Sequence, residues 1–173
     1  TPVVQDLKTV SATPDLAPTS GAKRFFVTKT LYKGGAVLNA CQTSADAASL
    51  GGTWVPWLST AGLSAKSRVM GTGPWKTLGG VTIFSNAAQL GTTPSTTTIT
   101  DETGVLMSVF ERVWTGTANG GSSSGLTCLS WSTSTYSTSS SLGTVGRTGT
   151  ALEWTDYEYR QCDTNAHVYC FEQ

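Results

Sequence analysis

The stretch "NAHVYCFEQ", residues 165–173, places a cysteine three residues before the last residue of the sequence. Within it, "HVYCFE" (167–172) is rich in β-branched and aromatic residues, which predicts a closing β-strand. The terminal segments of a domain usually fray unless something ties them down. A cysteine in this strand therefore indicates a covalent link to an earlier part of the chain.

The sequence contains four cysteines, at positions 41, 128, 162 and 170, with no CxxC pair and a single histidine, His167. A structural zinc site needs closer ligand spacing and more imidazole or thiolate groups. We therefore favour two disulfides in an oxidising compartment over four buried free thiols. His167 lies in the closing strand and is expected to be a surface or hydrogen-bonded structural residue.

The 173 residues fit one domain, with equal numbers of acidic and basic residues and only 13% charged side chains. A neutral, charge-poor chain lacks the basic surface that binds nucleic acid or anionic lipid. No apolar run approaches the roughly 18 residues that a membrane span requires. The first residue is not Met, so residue 1 is expected to be a processed or trimmed end. Together with the expected disulfides, this predicts a secreted or cell-surface protein whose leader has been removed.

Residues 1–23 contain three prolines and no sustained periodicity, which predicts an extended N-terminal arm before a domain at 24–173. "KRFFVTKTLY" (23–32) predicts a first strand. Apolar residues within 37–50 recur at helical spacing and Gly51 and Gly52 follow them, so a helix is expected there. "TWVPWLS" (53–59) predicts a strand with Pro56 at an edge or bulge, and "AGLSAKSRVM" (61–70) a short helix.

Further strands are predicted at Val105–Thr117 and in "LTCLSWST" (126–133), with long irregular loops between them. Few helices, short strands and no alternating βαβ series indicate an α+β fold with short, mixed, mainly antiparallel sheets. The Ser/Thr-rich loops at 92–100 and 132–150 are either flexible solvated segments or carriers of O-linked glycans.

Several motifs occur together from residue 25 onward: "FFVT" (25–28), "ACQTSADAASLGGTWVPWLS" (40–59), "VWTGT" (113–117), "CLSWST" (128–133) and "CDTNAHVYCFEQ" (162–173), with Gly143, Gly146 and Trp154. In combination they resemble a bacterial secreted domain of unknown function that is related to endostatin and similar to the C-type lectin-like fold. The resemblance implies nested disulfides, Cys41 with Cys170 and Cys128 with Cys162.

Lectins of this fold that bind sugar through calcium use Glu-Pro-Asn or Gln-Pro-Asp and Trp-Asn-Asp triplets, and the sequence has neither. The nearest match is "EWTD" (153–156), with Thr155 in place of the asparagine. Calcium needs six to eight oxygen ligands. Asp101, Glu102, Glu153 and Asp156 are the candidate ligands, and solvated loops are the alternative for these residues.

Trp75 lies among turn residues in "GTGPWKTLGG" and is the tryptophan expected to be most exposed, so Trp75 with Lys76 could contact a glycan or a partner protein. Trp154 and Asp156 are further candidate contacts. No GxSxG motif accompanies the single histidine and no carboxylate pair stands out, so we expect no enzyme activity.

Two functions agree with these observations. One is a secreted or cell-surface binding or adhesion module whose loops, around residues 72–150, meet glycan or protein. The other is a structural subunit of an extracellular filament or surface assembly, joined to copies of itself through residues 1–23.

Overall fold

The computed structural model describes residues 21–173, and its centre is the closing strand. These residues form eight strands: β1 (Lys23–Val27), β2 (Trp54–Pro56), β3 (Trp75–Thr77), β4 (Thr82–Phe84), β5 (Arg112–Trp114), β6 (Leu142–Arg147), β7 (Glu158–Gln161) and β8 (His167–Glu172). The helices are α1 (Ala40–Ala47) and α2 (Ala65–Arg68), with 3₁₀ turns at Gly34–Ala36 and Ala87–Gln89. The predicted arm lies outside the described residues except for 21–23.

Strand β8 organises a mixed sheet with the order β4-β3-β1-β8-β5-β6-β7. Strand β1 pairs with it on one side, whereas β5 and β2 pair with successive parts of the other side. Five of the seven pairings between described strands are antiparallel, as the sequence predicts. Pro56 lies in β2, which among the described strands pairs with β8 alone. No second strand therefore needs a hydrogen bond from the N–H that proline lacks.

Both faces of the central strands are buried, and each face carries its own apolar cluster. Along β8, Val168 and Cys170 face one cluster, whereas Tyr169 and Phe171 face the other. This alternation follows from the period of two in a β-strand. A strand covered on both faces needs apolar residues on both, which accounts for the four consecutive apolar residues at 168–171.

The two disulfides join Cys41 to Cys170 and Cys128 to Cys162, and the implied nested pairing is thereby confirmed. All four sulfur atoms belong to one apolar cluster, together with Phe26, Trp54, Trp114 and Trp131. The outer bridge ties α1 to β8. The early helix α1 is therefore the part of the chain to which the closing strand is covalently linked.

The strand predicted at 126–133 is wrong. Residues Cys128–Trp131 form a left-handed turn with φ between 50° and 64°, and Thr127 Oγ1 accepts a hydrogen bond from the Ser130 N–H. The turn buries Cys128 and Trp131 together, which an extended strand would place on opposite faces. This shared burial is the physical reason for the unusual backbone.

Other predicted elements are present but shorter. The strand expected over Val105–Thr117 is reduced to β5, and Val105, Leu106, Val109 and Phe110 lie exposed in the preceding loop. The first strand ends at Val27 and the predicted helix contracts to α1. The predicted second helix is α2, whose N-cap Ser64 accepts a hydrogen bond from the Ser67 N–H. No helix among residues 21–173 has the length and apolarity to cross a membrane.

An ion pair between β1 and β8 predicts how stability depends on pH. The Glu172 carboxylate accepts hydrogen bonds from the Arg24 backbone and guanidinium at 2.6–2.9 Å. Burial alone would raise the pKa of Glu172, but these bonds hold the pKa below its ordinary value of 4.5. Because the pKa of Glu172 is lower in the folded than in the unfolded protein, the ionised carboxylate stabilises the fold at neutral pH. This contribution is lost as the pH falls through the folded-state pKa.

Glu172→Gln should therefore lower the free energy of unfolding at neutral pH by about 1–3 kcal/mol. Its stability should also fall less than that of the wild type as the pH is lowered from about 6 to about 3. Urea unfolding across this range measures both effects, with the exposed Asp163→Asn as the matched control. Parallel pH curves for wild type and Glu172→Gln would contradict the prediction.

Candidate functional site

Trp75 is buried, so its expected exposure is wrong. Its ring packs edge-on against Phe171, and its Nε1 donates a hydrogen bond to the Glu172 carbonyl oxygen at 3.2 Å. The reason is the parallel pairing of β3 with β1, which draws a turn-rich segment into the sheet. Lys76, the next residue of β3, is half-buried, and the pair does not form an exposed platform.

Trp154 is also buried and packs between Trp57 and Phe84, while its Nε1 donates to the Thr92 carbonyl oxygen at 2.6 Å. Two residues later the chain reaches the surface. The Asp156 carboxylate is half-buried and accepts a hydrogen bond from the Asn119 N–H at 3.3 Å. Trp154 therefore anchors the segment that presents Asp156.

The calcium candidates serve separate local structures. Asp101 accepts hydrogen bonds from the N–H groups of Thr103 and Val105, and Glu102 accepts one from Lys29. Glu153 pairs with Arg147. Within residues 21–173 no three His, Cys, Asp or Glu side chains gather in a way that could hold a metal ion. The structure thus offers these four carboxylates no common calcium site.

An open groove of about 750 Å³ lies over β6 and β7, within the size range of small-molecule sites. We call it the tyrosine groove. Its lining residues are Ala118, Ser124, Leu126, Thr144, Asp156, Tyr157, Glu158 and Tyr159.

The β6–β7 pairing builds the floor of the groove. Thr144 and Tyr159 are cross-strand partners, so their side chains share one face of the sheet. Thr144 is buried and donates a hydrogen bond to Ser124 Oγ at 2.7 Å, whereas the Tyr159 side chain remains 63% exposed. The result is a polar floor beside a free aromatic ring.

The loop at 117–126 forms the opposite wall. A β-bridge between Thr117 and Ser123 closes it, and the Leu126 carbonyl oxygen accepts a hydrogen bond from the Thr144 N–H. The Gly120 N–H donates to the Gly91 carbonyl oxygen, which ties this loop to the one before it. The wall is thus held by backbone bonds on both sides.

Tyr157 is held in place at one end of the groove. The Arg147 guanidinium lies 4.1 Å from its ring centroid and 4.9 Å from that of Phe110, and Arg147 also pairs with Glu153. These contacts restrict the tyrosine before any ligand arrives. A side chain that is already ordered loses less entropy on binding.

The two carboxylates of the groove differ in their surroundings. Glu158 accepts hydrogen bonds from Arg112 at 2.6 Å and from Arg160 at 2.8 Å. Burial would raise the pKa of Glu158, but the two arginines together hold it below its usual range. Asp156 has no guanidinium among its hydrogen-bond partners within residues 21–173. Asp156 is therefore the groove's uncompensated negative charge.

Sequence reasoning singled out Asp156 but missed Tyr157 and Tyr159. The signal was present in "DYEYR" (156–160), where aromatic and charged residues alternate as in a strand with one solvated face. His167 is buried, and its Nδ1 lies 2.6 Å from the Thr28 carbonyl oxygen, in agreement with a hydrogen-bonded structural residue.

No protein-family model matches the chain, and no curated protein matches it significantly. What the groove can do follows from its own chemistry. Tyrosine faces stack on apolar ring surfaces, while hydroxyl and carboxylate oxygens exchange hydrogen bonds with a polar ligand.

Proposed function

We propose that the protein is a secreted or cell-surface binding module of C-type lectin-like fold that holds glycans in the tyrosine groove without catalysing a reaction. The observation that carries the proposal is the exposed Tyr159 ring beside hydroxyl and carboxylate groups in an open groove. A sugar ring has an apolar face that stacks on an aromatic ring and a rim of hydroxyls that need hydrogen-bond partners.

Other features support an extracellular setting. Two disulfides suit an oxidising compartment, and the balanced charge disfavours nucleic acid as the partner. The endostatin-related resemblance points toward a lectin-like binding role. The alternative, an assembly subunit joined through residues 1–23, rests mainly on residues outside the described part of the chain and stays a prediction.

Tyr159→Ala tests the proposal. Oligosaccharides that the wild type binds on a glycan array should bind the variant about two- to tenfold more weakly, because an aromatic stacking contact is worth about 0.5–1.5 kcal/mol. The melting temperature should change little, since the ring is exposed.

Tyr136→Ala provides the matched control, because Tyr136 is also exposed but does not line the groove. Equal loss of affinity in both variants would place binding elsewhere. Retention of full affinity by Tyr159→Ala would exclude the tyrosine groove as the site.

A further inference from the structure

We infer that the tyrosine groove, taken as the glycan site proposed above, selects sugars that carry a free amine and accepts neutral sugars more weakly. The inference rests on the position of the Asp156 carboxylate in the groove lining. Of the eight lining residues, Asp156 and Glu158 are the two with acidic side chains, and none is Lys, Arg or His.

Glu158 offers no free negative charge to a ligand. Arg112 and Arg160 hold its carboxylate from its own sheet, so a ligand amine would have to displace two guanidinium groups. Because both arginines are bound to the same Glu158 oxygen, the three side chains together carry one net positive charge. An amine preference therefore has to come from Asp156.

Asp156 is in the opposite position. It is half-buried, and one of its oxygens, Oδ2, accepts a hydrogen bond from the Asn119 N–H at 3.3 Å. A carboxylate has capacity for several donors. An ammonium group on a sugar stacked against Tyr159 would supply a charge-assisted bond to this carboxylate, whereas an N-acetyl group would supply a neutral one.

The location of Asp156 is fixed by packing. The preceding Trp154 is clamped in the aromatic cluster, and the Tyr157 N–H donates to the Val145 carbonyl oxygen at 2.9 Å. The carboxylate thus stands on an anchored segment between two structural contacts. Selectivity by charge requires such a fixed position, since a mobile carboxylate would also adapt to other ligands.

The experiment compares two tetrasaccharides by titration calorimetry at a mildly acidic pH at which sugar amines are protonated. The probes are the β-1,4-linked glucosamine tetramer and its N-acetylated counterpart. We expect the amine form to bind about tenfold more tightly than the acetylated form, and added salt to reduce the difference.

Asp156→Asn should abolish the preference for the amine while retaining affinity for the acetylated tetramer. Asp156→Glu should retain part of the preference, and Asp163→Asn, which removes a charge outside the groove, should retain all of it. Thermal melting verifies that each variant is folded.

The outcomes separate the two proposals. If the wild type binds the amine and acetylated forms equally, or keeps its preference in Asp156→Asn, the charge inference is overturned while the glycan site stands. If no tetrasaccharide or arrayed glycan binds, the glycan proposal fails and the inference fails with it.

Discussion

Replacing Cys41 and Cys170 by alanine is expected to lower the free energy of unfolding by about 5 kcal/mol. The bridge closes a loop of 129 residues, and the chain-entropy relation gives about 5 kcal/mol for a loop of that length. Single domains are typically stable by only about 5–15 kcal/mol. The double variant should therefore be close to unfolded at 37 °C.

Cys128→Ala with Cys162→Ala is the matched comparison. That bridge closes a loop of 34 residues, for which the same relation gives about 4 kcal/mol. Urea unfolding of both double variants and the wild type measures the difference. A larger loss from the inner bridge would contradict the loop-length argument. Stability unchanged in strong reductant would show that core packing rather than the disulfides holds the fold.

The outer bridge matters because it is attached to the strand on which the sheet depends. Strand β8 pairs with β1, β2 and β5, and all six of its residues are buried. Loss of its C-terminal half would break contacts with β1 and β2 together. The hydrophobic cluster that contains all four cysteines would then also open to water.

The central elements could be predicted because their signals are local. Strand β8 and helix α1 follow from residue type and spacing within a few positions. The even cysteine count predicts two disulfides, but the pairing came only from the family resemblance, since spacing alone leaves several pairings open.

The predictions failed where residues far apart in the sequence determine the local structure. Trp75 stands among glycine and proline, which is typical of an exposed turn, yet pairing with β1 buries it. Residues 128–131 have the composition of a strand, yet a left-handed turn is needed to bury a disulfide and Trp131 side by side. The groove likewise depends on a loop at 117–126 whose approach to β6 has no local signal.

Gly146→Ala is expected to lower the free energy of unfolding by about 3 kcal/mol or more, because overpacking against backbone cannot be relieved by a rotamer change. A Cβ at position 146 would overlap the Trp154 carbonyl oxygen and lie 2.8 Å from the Thr155 nitrogen. Strand β6 and the segment after Glu153 would have to separate.

Such separation would also damage the groove. The hydrogen bonds from the Arg147 N–H to the Glu153 carbonyl oxygen and from the Tyr157 N–H to the Val145 carbonyl oxygen lie on either side of Gly146. Because the same segment carries Asp156 and Tyr157, glycan affinity measured on the folded fraction should fall together with stability.

Gly62→Ala is the control for Gly146→Ala. No atom lies within 4 Å of a Cβ built at position 62, and its φ lies outside the left-handed region, so stability should stay within about 0.5 kcal/mol of the wild type. Urea unfolding of the two variants measures the contrast. Wild-type stability in Gly146→Ala would mean that β6 and the Trp154 backbone are not in close contact, and the fixed position assigned to Asp156 would lose its physical basis.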